Sequence, residues 1–121
     1  MPDLSDEERA RVVELILAGR AEEALRIVCE AHGRSPPRIR VGRVKGHSRS
    51  LAVYDPRSET IYLSDGSLMR DPFVLLHELY HHLRMFAGRH RGTEKHADRF
   101  ALSFLRSYRR LRGGFGKNIE A

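Results

Sequence analysis

Apolar residues recur at helical spacing in four stretches of this 121-residue chain and gather into short β-rich runs between the second and third. Ser5-Asp6-Glu7-Glu8 opens the first stretch as a capping box, a hydroxyl followed three residues on by Glu. A helix is expected from there to about Ala18, with Val12, Val13, Ile16 and Leu17 on its apolar face. Gly19 interrupts the pattern. A second helix is predicted from Ala21 to about His32, with Ala24, Leu25, Val28 and Cys29 inward and Gly33 as its stop. The pair reads as a helical hairpin over residues 1–35.

Pro36-Pro37 marks a hard boundary. Ile39, Val41 and Val44 lie in a Gly-punctuated stretch that reads as a strand. Leu51–Tyr54 and Thr60–Leu63 are β-rich runs joined by Asp55-Pro56-Arg57-Ser58-Glu59, a hairpin with Pro in its turn. Asp71-Pro72 starts the next helix, Asp as cap and Pro in the first turn, and Gly88 ends it after Ala87. The last helix is expected from Thr93 to about Arg112, and residues 113–121 read as a flexible tail. The expected class is α+β in one domain, 1–121: a helical hairpin, a three-stranded mainly antiparallel sheet, then two helices.

Composition narrows the classes. Hydrophobic residues at 40% and charged residues at 31% fit a globular chain. No uninterrupted apolar run is longer than that of Phe73–Leu76, which is too short to span a membrane. Met1–Ala10 has no apolar signal-peptide core, so the cytoplasm is the expected compartment. Cys29 is the only cysteine, which excludes an internal disulfide and a cysteine-rich zinc site. Any metal must therefore be held by His and carboxylate. The net charge of +6 comes from 19 Arg against 3 Lys. Such charge attracts nucleic acid or acidic partners, but no aromatic-interleaved basic motif accompanies it, and a solvated Arg-rich surface is the plainer reading.

The third helix carries His77-Glu78-Leu79-Tyr80-His81, an HExxH pattern. Residues four apart on a helix differ by about 40° in direction, so both imidazoles project from one face. That spacing lets two nitrogens ligate one zinc ion. Glu78 lies beside them, placed to take a proton from an attacking water. The surrounding helix is apolar through Phe73, Val74, Leu75, Leu76, Leu79 and Leu83, where unpartnered polar side chains would cost stability.

A catalytic zinc needs a third protein ligand. The final helix offers Glu94, with Asp98 four residues on, beside Ala97 and Ala101, whose small size lets two helices approach. Glu94 would reach the metal, and Asp98 would accept a hydrogen bond from the far nitrogen of a ligating imidazole. His82 points about 100° away from His81. His96 sits off the Glu94–Asp98 face. His90 remains a rival third ligand if Gly88 breaks the helix.

These residues resemble the gluzincin zinc peptidases, with HExxH on one helix and ExxxD on the next, here Glu94-Lys95-His96-Ala97-Asp98. Thr60–Ser64, Phe73–His81 and Glu94–Ala101 also resemble the ImmA/IrrE family in strand–helix–helix order. The length is similar to that of miniature single-domain archaeal gluzincins. The resemblance implies a minimal zincin-like fold and Zn2+ bound by His77, His81 and Glu94. It also implies that Glu78 activates water and Asp98 supports an imidazole. ImmA/IrrE members usually carry Asn at the position of Asp98, and their Leu-Met-Pro ending to the second helix is missing here.

The expected activity is metal-assisted peptide hydrolysis, with a peptide or protein substrate laid beside the edge of Leu51–Tyr54 or Thr60–Leu63. Tyr80, Tyr62, His47 and Arg49 are candidate oxyanion donors. Two other readings compete. One is a regulatory zincin-fold protein with gated proteolysis, its tail 113–121 plugging the cleft. The other is a basic nucleic-acid-binding protein with incidental histidines.

Overall fold

The capping box at the N-terminus closes as the spacing requires. Ser5 Oγ accepts from the Glu8 N–H at 3.1 Å, and Glu8 Oε1 accepts from the Ser5 N–H at 2.7 Å. It starts α1 (Asp6–Leu17), and a turn through Gly19 leads into α2 (Ala21–Ala31). The computed structural model describes residues 4–42, 50–86, 89–90 and 92–113. Val44, Gly88 and most of the 113–121 tail lie outside the described residues.

Three strands follow: β1 (Arg38–Val41), β2 (Ala52–Asp55) and β3 (Thr60–Leu63). They lie in the order β1-β3-β2. β2 and β3 form the expected antiparallel hairpin, Val53 opposite Tyr62. Its turn is held by Asp55, which accepts from the Arg57 N–H and the Ser58 hydroxyl. β1 corrects the mainly antiparallel reading, because it runs parallel to β3 with Ile39 opposite Ile61. Strand β3 carries three buried residues and takes the centre. β1 and β2 are then forced to opposite edges, and only β2 is joined to β3 by a tight turn.

A single 3-10 turn (Gly66–Arg70), unannounced by the apolar pattern, precedes the third helix. α3 (Pro72–Leu83) begins as expected, with Asp71 Oδ1 accepting from the Val74 N–H at 3.1 Å and Pro72 in the first turn. It ends four residues before Ala87. The chain leaves the helix so that the Met85 carbonyl accepts from Arg34 Nη1 at 2.9 Å. A two-stranded ribbon, β4 (Met85–Phe86) with β5 (Arg89–His90), replaces the missing turn. Thr93 then caps α4 (Glu94–Arg112), which stops at Gly113 in the left-handed conformation.

The structure is therefore mixed α+β. One buried cluster joins α1, α2, the sheet, α3 and α4 through residues such as Ile16, Leu25, Ile61, Leu76, Leu79 and Phe104. Each such side chain contributes about 1.5–3 kcal/mol by leaving water. Among the described residues, no helix is long and apolar enough to cross a membrane.

Charges tie α1 to the last turn of α4. Arg112 reaches Glu7 at 2.7 Å and Glu14 at 3.0 Å, and Arg110 reaches Asp6 at 2.6 Å. Hydrogen bonds from Arg112 hold the Glu7 and Glu14 carboxyls below their ordinary value of 4.5. A depressed folded-state value adds stability above the ordinary pKa and loses it as pH falls through the lower one. Arg112→Ala should therefore flatten the fall in Tm as the pH drops below 4.5. Parallel Tm–pH curves for variant and wild type would contradict this assignment.

Candidate metal centre

α3 places His77 and His81 one turn apart, their ring centroids 5.2 Å apart and nearly perpendicular. α4 packs across them through Ala97 and Ala101, both fully buried. That approach sets Glu94, the first residue of α4, over the two rings. Glu94 Oε1 lies 2.7 Å from His77 Nε2, and Oε2 lies 2.9 Å from His81 Nε2. The His81 side chain is 5% exposed and that of Glu94 77%, so packing fixes the ring while the carboxylate enters from the solvent side.

One ligand atom from each of His77, His81 and Glu94 falls within 4.8 Å of the others, and the group can hold a metal ion. Bonds of about 2.0–2.1 Å to a tetrahedral ion separate neighbouring donors by about 3.3 Å. The exposed Glu94 needs to back away by only about half an ångström to meet that edge. Charge supports the fit. Glu78, Glu94 and Asp98 surround two imidazoles, and no Arg or Lys lines the two adjoining cavities among the described residues.

Asp98 lies one turn along α4 and meets the other side of the first ring, its Oδ1 2.8 Å from His77 Nδ1. A carboxylate only accepts, so this contact places a proton on Nδ1 and leaves Nε2 as the nitrogen that faces Glu94. Burial pushes Glu94 up, but hydrogen bonds and charge from His77 and His81 outweigh it and lower the carboxyl.

Glu78 lines both cavities, one of about 260 Å3 that includes His81 and Glu94, the other of about 320 Å3 that includes His77 and Asp98. Burial raises its carboxyl to about 7, opposed by the His77 charge, reinforced by Glu94 and opposed again by a hydrogen bond from the Tyr54 N–H. That N–H belongs to the outer edge of β2, which flanks the site. The alternative edge at Thr60–Leu63 is excluded, because β3 is the central strand.

The remaining histidines separate clearly. His96 Nδ1 meets the Thr93 hydroxyl at 2.7 Å, at the cap of α4. The side chain of His90, and all of His47 and Arg49, lie outside the described residues. Of the candidate oxyanion donors, neither Tyr80 nor Tyr62 lines either cavity among the described residues. Tyr80 instead packs on Phe100 and against the backbone of Gly92, where an added Cβ would lie 2.7 Å from its ring. Close passage of the chain at Gly92, at φ +116°, sets the entry to α4 two residues before Glu94.

His82, which the helical angle puts outside the site, supports it from behind. It is fully buried. Its Nε2 lies 2.8 Å from the Ser35 carbonyl, so that nitrogen donates. Its Nδ1 therefore accepts from the Tyr54 hydroxyl at 2.8 Å. Burial lowers the His82 pKa and keeps the ring neutral. Tyr54 is thus pinned twice to α3, by its hydroxyl to His82 and by its backbone N–H to Glu78. The adjacent His81-His82 pair on an apolar helix is the only trace of this in the sequence.

No family model, curated protein or solved structure matches the chain.

Two measurements check this geometry. Asp98→Ala should weaken divalent-metal binding, followed by calorimetry, by about 10–100-fold; unchanged affinity would remove Asp98 from the site. Tyr54→Phe leaves the His82 Nδ1 buried without its donor and should lower unfolding stability by about 1–3 kcal/mol. A neutral result in urea unfolding would show that the tie carries no weight.

Proposed function

We propose that this chain is a zinc-dependent peptidase of the zincin type, related by its motifs to the gluzincins. The observation that carries the reading is the convergence of His77 Nε2, His81 Nε2 and the Glu94 carboxylate beside a cleft lined by Glu78. Two imidazoles and one carboxylate form a donor set suited to catalytic zinc, which keeps one position open. Glutamate as the third ligand, followed by Asp98 on His77, is the gluzincin-like part of the reading.

Zinc held there supplies Lewis acidity at neutral pH. The chain's own residues supply the rest. Asp98 fixes the His77 ring with Nε2 inward. Glu78 takes the proton of the attacking water on a carboxylate oxygen and delivers it to the departing amine nitrogen. The Tyr54 N–H holds that carboxylate at the strand edge. The outer edge of β2 runs past both cavities, so an extended peptide laid along Ala52–Tyr54 brings its backbone to Glu78.

The test is cleavage of a denatured, fluorescently labelled protein by the zinc-loaded chain. Glu78→Gln should retain zinc and lose about 10²–10⁴-fold in rate. The reading is overturned if the wild type neither binds zinc nor cleaves, or if Glu78→Gln cleaves as fast as wild type.

A further inference from the structure

The opposite edge of the sheet carries a second feature that the metal centre does not use. β1 ends the strand order, with β3 between it and β2. The Arg38 N–H donates to the Glu59 carbonyl and the Gly42 N–H to the Leu63 carbonyl. Backbone direction alternates along a strand, so the N–H and C=O groups of Ile39 and Val41 face away from β3. Val41 also leaves 56% of its surface exposed.

Beside this edge a cleft of about 520 Å3 opens between α2 and β1. Pro36 and Ile39 give it apolar wall, and its charged groups are Arg26, Arg38 and Arg40 against Glu22. Among the described residues, Arg38 and Arg40 have no carboxylate at ion-pair distance. Arg26 meets Glu30 only at 3.9 Å. Residues two apart on a strand share a face, so Arg38 and Arg40 form a pair at a fixed spacing.

We propose that the β1 edge and its cleft bind an extended acidic segment of a partner protein, with carboxylates two residues apart, added as a fourth strand. Main-chain groups of Ile39 and Val41 supply the ladder. Arg38 and Arg40 face the alternate carboxylates across it. The intervening apolar side chains meet Ile39 and Val41. Charged residues alone are a common protection for an open edge; the apolar-walled cleft beside them gives a partner something to bury. Nucleic acid fits less well, because among the described residues no aromatic ring lines the cleft to stack on a base. The site lies on the other side of β3 from the metal centre and stands whether or not the chain is a peptidase.

The experiment uses the isotope-labelled full chain and a synthetic peptide alternating Glu and Val, with a Lys-for-Glu control. Binding of the Glu peptide should shift the amide signals of Ile39 and Val41 and slow their hydrogen exchange, and should weaken as salt rises. The Lys peptide should not bind. Arg38→Glu/Arg40→Glu should weaken the Glu peptide by about tenfold or more, with zinc affinity unchanged. If that variant fails to fold, the wild-type shift map and the Lys control decide alone. Equal binding of both peptides, shifts confined to other elements, no binding at millimolar peptide, or displacement by a single-stranded oligonucleotide at lower concentration would each overturn the proposal.

Discussion

Glu94 reaches the two imidazoles because α4 packs against α3 through Ala97 and Ala101, neither of which exposes any surface. Larger side chains there would hold the helices apart by more than a carboxylate can span. The same approach carries Asp98 to His77 one turn further on. Packing is thus what converts three residues, separated by up to 17 positions, into a triangle of donor atoms. Phe104 and Ser107 continue the seam along α4, and the Asp6 and Arg112 contacts close its far end against α1. The stability of the helical layer and the geometry of the site are one property.

α3 works on two faces. His77, Glu78 and His81 look towards the clefts, while Leu75, Leu76, Leu79 and His82 are buried in or against the core. His82 fixes the roll of the helix by bonding a backbone carbonyl on one side and a strand tyrosine on the other. Because Tyr54 also holds Glu78, the edge strand is tied directly to the proposed base. The electrostatic layout follows the same division. Among the described residues no arginine lines the two cavities beside His77 and His81, while Arg26, Arg38 and Arg40 line the cleft at the β1 edge.

Features encoded within a few residues of sequence were legible in advance. The Ser5–Glu8 capping box, the Asp71-Pro72 start, the Thr93 start and the four-residue spacings on α3 and α4 are of this kind, and the structure brings His77, His81 and Glu94 together. Features decided by distant partners were not. The direction of β1 depends on β3 taking the centre of the sheet, 22 residues away in register. The early end of α3 depends on Arg34 reaching Met85, 51 positions on. His82 looked like a bystander because its partners, Tyr54 and Ser35, lie 28 and 47 residues away. Helical angle gave its direction correctly and its purpose not at all.

The most direct test of the account is a crystal structure of the zinc-soaked protein with anomalous data at the zinc edge. A single strong peak is expected about 2.0–2.2 Å from His77 Nε2, His81 Nε2 and a Glu94 carboxylate oxygen. A peak elsewhere, or one bound by the histidines with Glu94 turned away, would contradict it.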